Sequence, residues 1–582
     1  VPVVVTVVTA AVVLGPALRP GVVLTYDLAW SPDARLTPFA TGVDTPAPRA
    51  VPSDAATWLL GLLVTPGVAQ KLVLGGVLVL AGLGATGLVR VLRPTAGRLA
   101  ACAAAVAAVW NPFVAERLVI GQWTVLLGYA VLPWAVRAAL RVRAGRGTVT
   151  ALCGWAVLAS VGGANSLVLV GPPVLVLLLL PQPVWRAVLA WLAVVAGGAG
   201  AWAVPALWGG LASDPAGFTV FAARSDGPMG LVVSLAGGGG FWNPASYPAE
   251  RRVAALAVAA AVLTTAGVVA VARQARQSRR AHRARDRERP GPADHAGQRV
   301  GSGVPVLVAV ALLGLLLAVA SGTAWSADAW ARLAEVPGGA LLRDSQKVVA
   351  LWVVLGAAGV GLLVDGLVHH RAAALVPAIG LAVVAPLVLP TLAWGERSRI
   401  EAVTVPADLR AAAAELSSAP AGEVGLLPWR QYRRYGWNDA RVSLSLVPRM
   451  VDQRVVYDDS LPLSSGRIAG ESPRSAAVTA AVDGGADAWD ALVAQGVRYV
   501  VVEKDTGLPT PDLPAGAGRV LADTAHLQVV EVAGSSGATT GATTGATGQG
   551  GRAGSATGWG VTLATLAAWL VLATRRVLRR NG

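Results

Sequence analysis

The chain has 582 residues, a formal charge of +15, 54% hydrophobic residues and only 14% charged residues. Soluble multidomain proteins carry about a quarter charged residues, so a purely soluble protein is excluded. General disorder is excluded too, because the apolar residues gather in blocks of about 16 to 24 rather than dispersing. Cys102 and Cys153 both lie inside apolar blocks and offer neither a disulfide framework nor a zinc-ligand spacing.

Apolar runs long enough to cross about 30 Å of hydrocarbon predict about twelve membrane helices. They fall at roughly 1–24, 71–92, 98–114, 120–140, 148–163, 165–181, 187–208, 252–273, 303–322, 347–368, 372–393 and 559–574. The first block has no basic leader and no small-residue cleavage site, so it reads as a retained helix. Arg19 must then snorkel to the outer interface, or the helix stops near Leu18.

With the N-terminus in the cytoplasm, every second loop is basic. These loops hold Arg90, Arg93 and Arg98; Arg137, Arg141, Arg143 and Arg146; Arg186; Arg273 through Arg299; Arg371; and Arg575, Arg576, Arg579 and Arg580. The positive-inside rule then predicts a multi-pass plasma-membrane protein with both termini cytoplasmic. The dense run from Arg273 to Arg299 also suits nucleic acid or anionic lipid. Its place in this alternation assigns it to topology instead, so no nucleic-acid partner is expected. His369 and His370 face the cytoplasm beside Arg371 and form no ligand set. Many tryptophans, among them Trp30, Trp110, Trp134 and Trp394, fall near span ends, where indoles anchor at the interface.

The opposite loops are longer: 25–70, 209–251, 322–346 and a large segment from 395 onward. In the first of these, Trp58 to Leu63 is too short to cross and reads as an interfacial helix. Residues 395–534 have the composition of a soluble domain. A helix is expected at 406–416, a strand at 422–427, a helix at 488–495, and strands at 497–503, 519–522 and 527–532. The organisation is therefore a bundle of about eleven helices over 1–394, an extracytoplasmic α/β domain over 395–534, a flexible Gly/Ala/Thr-rich linker over 535–558, and a final helix with a basic tail over 559–582.

Chemistry is expected on the outer face, because the cytoplasmic loops hold little but arginine. Asp27 and Asp33 follow the first helix, and Asp44 and Asp54 lie further along the same loop. A carboxylate at the membrane surface can act as general base on an acceptor hydroxyl, and two together can hold a divalent cation against a phosphate; ordinary loop acids account for them equally. Glu116 and Arg117 sit at the second external turn, as an internal ion pair or as an acid and a phosphate contact. Arg343, Asp344, Gln346 and Lys347 stand at the mouth of the tenth helix. There the cations suit a lipid-linked phosphate and Gln346 suits sugar or phosphate oxygens, although a lysine at a span end also serves as a snorkelling anchor. The segment from Pro428 to Asp439 interleaves arginines with aromatics, as do carbohydrate sites, anion sites and headgroup-facing surfaces.

The many-helix layout, the long first external loop with an acid just after helix one and the external C-terminal domain resemble the GT-C superfamily of polyprenyl-phosphate-sugar-dependent glycosyltransferases. The stretch from Asn111 to Trp123 with Leu127, Gly128, Tyr129 and Pro133, the stretch from Leu342 to Lys347, and the stretch from Gly496 to Val502 resemble parts of actinobacterial membrane proteins of this type. The resemblance implies sugar transfer from a polyprenyl-phosphate donor to an envelope glycan, lipid or protein on the outer face, with inversion. It also implies Asp27 as base or metal ligand, with Asp33 second. That family often carries adjacent acids or an Asp-x-Asp pair, whereas five residues separate Asp27 from Asp33; a divalent cation, Mg or Mn, is the cofactor such a pair would bind. Two other classes compete. One is a transporter or flippase, which lacks support from internal repeats or mid-membrane charges. The other is a non-catalytic envelope assembly protein.

Overall fold

The computed structural model describes residues 1–43, 48–208, 214–288, 292–336, 338–370, 375–463, 466–535 and 546–581, and their side chains except over 282–301, at 370, and over 546–551 and 579–581. Asp44, Arg371 and residues 536–545 of the expected linker lie outside the described residues.

Among the described residues, eight helices are long and apolar enough to cross a membrane. They are Pro66–Leu92, Arg98–Val119, Trp123–Arg143, Trp185–Trp208, Ala254–Ala281, Ser302–Ser321, Ser345–His369 and Arg552–Leu578. A ninth candidate is bent by 70° between Leu375–Val388 and Pro390–Ser398, and the apolar helices Pro2–Leu18, Val149–Ser160 and Gly163–Leu179 are shorter. Each expected span thus meets an apolar helix, but four of the twelve places hold a short or broken one. The first helix runs over Pro2–Leu14 and tightens into a 3-10 turn over Gly15–Leu18. It stops before Arg19, which pairs with Glu401, and Val22–Val23 then pairs antiparallel with Ala402–Val403.

Small residues set how closely the helices approach. Where Ala254–Glu288 crosses Ala350–His370, a Cβ on Gly359 would collide with the Gly267 carbonyl, and one on Gly267 with that of Gly356. Backbone contact of this kind is how helices associate in lipid, where burying apolar side chains brings no gain. The last helix uses the same device. Although 535–558 reads as a flexible linker, a helix runs over Ala546–Asn581 and packs on Trp185–Trp208. There Gly558 meets Gly200, and the Thr562 hydroxyl donates to the Gly197 carbonyl at 3.0 Å. The glycines and alanines that look like linker composition therefore form, over 552–558, part of a packing seam.

The C-terminal region contains a five-stranded mixed sheet in the order Gly518–Asp523, Leu527–Val532, Tyr499–Glu503, Val424–Leu427, Val455–Val456. The last three strands are parallel and the first two antiparallel. All five residues of Tyr499–Glu503 are buried, and the pleat divides them. Val500 and Val502 pack with Val478, Trp489 and Leu492 of the helices Pro473–Asp483 and Ala488–Ala494. Tyr499 and Val501 join the core that includes Leu409 and Leu416 of Ala407–Ser418 and continues into the membrane bundle. Alternation with period two thus couples this sheet to the helices below it.

Gly359→Ala is expected to lower stability by about 1–3 kcal/mol through overpacking. Gly366→Ala, whose Cβ meets nothing within 4 Å, should be neutral or stabilising by up to about 1 kcal/mol. Thermal unfolding in detergent measures both, and equal effects would contradict the close crossing.

Candidate active site

The site grows from one short helix. Asn111 caps Pro112–Val119 by accepting from the Val114 amide (3.0 Å), and Pro112 starts the helix where no amide donor is needed. The chain then turns through Gly121, at φ +80°, where any Cβ would strike the backbone of Leu28. That close approach docks the loop that follows the first helix. The Thr25 hydroxyl donates to the Val119 carbonyl (2.8 Å), and the Asp27 amide donates to the Ile120 carbonyl (3.1 Å). From the other side the sheet region holds Tyr26, whose amide donates to Val442 (2.5 Å) and whose carbonyl accepts from Leu444 (3.1 Å). Tyr26 sits at φ +41°, a strained value for a residue with a Cβ.

Asp27 is thereby presented on a fixed backbone. Its Oδ1 accepts from the Tyr432 hydroxyl (2.9 Å) and its Oδ2 from Gln122 Nε2 (3.2 Å). The side chain is exposed to solvent, yet protein surrounds it closely on its other sides. This desolvation raises its carboxyl above the ordinary value, against the opposing pull of the Tyr432 and Gln122 hydrogen bonds. The Tyr432 phenol, itself desolvated and facing Asp27, is pushed well above its usual range and remains a donor.

Gln122 links this acid to Arg117. The guanidinium of Arg117 is fully buried; it donates to Gln122 Oε1 (2.5 Å), to both oxygens of Asp344 (3.0 and 3.3 Å) and to Gln346. Phe241 covers it at 4.1 Å. Gln346 in turn donates to the Gly239 carbonyl (3.1 Å). Asp27, Arg117, Asp344 and Gln346, singled out on sequence grounds from three distant segments, therefore share one network.

Arg343 and Lys347 flank it. Arg343 stacks on Phe221 (4.7 Å) and reaches Glu471 (3.6 Å). Lys347 is buried, with Asp344, Arg117 and Arg343 as the charges acting on it. Arg49, in the loop that follows the first helix, pairs with Glu471 (3.1 Å) and lies close enough to act on Asp27.

Asp33 and Glu116 face elsewhere. Asp33 pairs with Arg410 of Ala407–Ser418 (2.5 Å) at the margin of a cleft that Ala34 and Met450 also line. Glu116 is buried on the other side of its helix, where it accepts from the Phe241 amide (3.3 Å) beside Asp226 and Arg251. Asp54 pairs with Arg449 (2.7 Å). The segment from Pro428 to Asp439 is less a basic face than sequence suggests. Arg433 and Tyr435 turn inward onto Glu503 at 2.8 and 2.5 Å, and Tyr432 reaches Asp27. Among the described residues no three His, Cys, Asp or Glu side chains gather as metal ligands. With Asp33 paired to Arg410 and Asp27 bound by Tyr432 and Gln122, the two acids do not make the oxygen-rich set that Mg or Mn requires.

Sequence reasoning did not single out Gln122, Tyr432, Arg49 and Glu471. Gln122 and Tyr432 lay inside stretches noted for other reasons; Arg49 and Glu471 carried no local signal.

No protein-family model and no curated protein matches the chain. Among solved structures it is similar to the arabinofuranosyltransferase AftD from mycobacteria, with a TM-score of 0.55 and 17% identity, over 91% of this chain and 39% of that one. A mutant form of AftD aligns with a TM-score of 0.50 and 17% identity, over 90% and 41% of the two chains. The chain thus spans about two fifths of the AftD length. The archaeal oligosaccharyltransferase AglB from Archaeoglobus fulgidus is also found, with a TM-score of 0.37 and 12% identity, over 86% and 69%. The likeness to AftD shows that this chain shares the fold of the aligned part of that protein.

Proposed function

We propose that the chain is an inverting membrane glycosyltransferase. It takes sugar from a polyprenyl-phosphate donor and passes it to a glycan, lipid or protein of the cell envelope at the outer face of the plasma membrane. In this reading all twelve apolar helices belong to the membrane layer, both termini are cytoplasmic, and the sheet region is external. The observation that carries it is the gathering of one desolvated, hydrogen-bonded acid, Asp27, with the cations Arg49, Arg343 and Lys347 around the Arg117–Asp344 pair. The GT-C fold supports the class of reaction.

The roles follow from charge. An acceptor hydroxyl placed against Asp27 loses its proton to the carboxylate as its oxygen attacks the anomeric carbon from the face opposite the phosphate. The bond from that carbon to the phosphate oxygen breaks, and polyprenyl phosphate leaves with the electron pair. Arg343 and Lys347 stabilise the charge that develops on it. Arg117 holds Asp344 and Gln346 in register, and Gln122 ties them to the base. Side-chain cations carry the phosphate charge in this scheme.

Asp27→Asn is expected to cut transfer from a labelled polyprenyl-phosphate sugar by about 10²-fold or more with membrane expression intact; wild-type turnover would exclude Asp27 as the base. Because the base must be ionised and its carboxyl is raised, kcat/KM should climb with pH through a limb above the ordinary carboxylate range. Tyr432→Phe removes a hydrogen bond that favours the ion, so that limb should move further up in pH. A downward or absent shift would show that Tyr432 does not act on Asp27.

A further inference from the structure

Glu471 immediately precedes Ser472, the cap of the helix Pro473–Asp483, and its carboxylate lies where two cations from separate segments meet. Arg49 Nε donates to Oε2 at 3.2 Å, Arg49 Nη2 lies 3.1 Å from Oε1, and Arg343 Nη1 lies 3.6 Å from the same oxygen. Burial alone would push the Glu471 carboxyl up; Arg49 and then Arg343 outweigh it and hold the group below its ordinary range, as an ion. The backbone beneath is fixed separately, since the amides of Glu471 and Ser472 both donate to Asp459 Oδ2, at 2.8 and 2.9 Å.

Lys347 supplies a second, independent observation. It is 5% exposed and lies close enough to Arg343 and Asp344 for their charges to act on it, and among the described residues no side-chain hydrogen bond or ion pair engages its ammonium. Such a crowded ammonium is open to an anion that can reach it. A carboxylate has two oxygens, and Glu471 directs both at the arginines. A phosphate monoester, such as the polyprenyl phosphate that leaves in the transfer, has three terminal oxygens in a tetrahedral array, enough to take both guanidiniums and the ammonium together.

We propose that Glu471 is a built-in competitor for the phosphoryl group of the polyprenyl phosphate that leaves: the carboxylate and a phosphate monoester use the same pair of guanidiniums, Arg49 and Arg343, and the phosphate prevails by also engaging Lys347. Displacing Glu471 needs only a side-chain rotation, because its backbone is held by Asp459. The competitor raises the threshold for weak anions and admits those that satisfy all three cations. The identity of the phosphate as that of a departing lipid phosphate rests on the function proposed above; the anion site itself does not.

The test uses the full chain in phosphatidylcholine nanodiscs, titrated with farnesyl phosphate, inorganic phosphate and farnesol. Glu471→Gln should tighten farnesyl phosphate binding about tenfold, whereas Arg343→Gln or Lys347→Gln should weaken it about tenfold. In the Glu471→Gln/Arg343→Gln double variant the gain should vanish, because the competitor and its site are removed together. Farnesol binding should not respond to any of these changes. Unchanged or weaker farnesyl phosphate binding by both Glu471→Gln and Glu471→Ala, with melting temperatures near wild type, would overturn the competitor role while leaving the donor site standing. If Arg343→Gln and Lys347→Gln leave phosphate binding untouched, the donor-phosphate reading falls as well. An equal gain for inorganic phosphate supports the competitor and identifies free phosphate, not a lipid, as the ligand that the site recognises.

Discussion

A fully buried guanidinium governs this site. Arg117 lies near the end of the candidate span Arg98–Val119, fully buried within the protein, where an unpaired charge costs several kcal/mol. Its neutralisation draws in Asp344 and Gln346 from the mouth of the Ser345–His369 span and Gln122 from the start of the Trp123–Arg143 span. Phe241 and Phe113 cover it at 4.1 and 5.5 Å. Once those partners are fixed, Arg343 and Lys347 are placed by the same short segment as Asp344, and Gln122 is aimed at Asp27. The site's geometry is therefore in large part the solution to one electrostatic problem.

The neighbouring Glu116 shows the same helix working on its other face. Successive helical residues point about 100° apart, so Glu116 turns away from the cleft toward Asp226 and Arg251, which pair at 2.8 Å, and toward the glycines before Phe241. A Cβ on Gly239 would collide with the Asp226 carboxylate. That crowding holds in place the loop whose Phe241 ring covers Arg117. Glu116 thus contributes to the site through position, while Arg117 contributes directly.

Much of this was legible in the sequence, for identifiable reasons. Spans announce themselves by apolar length, and the strand Tyr499–Glu503 by a continuous apolar run. Asp27 stands out only through the resemblance, which expects an acid just after the first helix; its local sequence suits an ordinary loop acid as well. Tyr432, Gln122, Arg49 and Glu471 were not legible, since each acts through a partner tens to hundreds of positions away, and nothing local distinguishes a relay glutamine from a surface one. Asp33 has the same local appearance as Asp27, yet its loop carries it to Arg410 instead. The stretch 552–558 was misread because small residues signal flexibility in water and close helix packing in lipid.

The central claim is that the acid and the cations face each other across one substrate, with the phosphate at the Arg343–Lys347 end and the acceptor at Asp27. A cryo-EM structure of the full chain with a non-hydrolysable polyprenyl-phosphate sugar tests it most directly. The account predicts the phosphate against Arg343 and Lys347, the anomeric carbon turned toward Asp27, and Gln122 still bridging Asp27 to Arg117. A phosphate bound among the arginines at the opposite ends of the helices, or a sugar remote from Asp27, would contradict it.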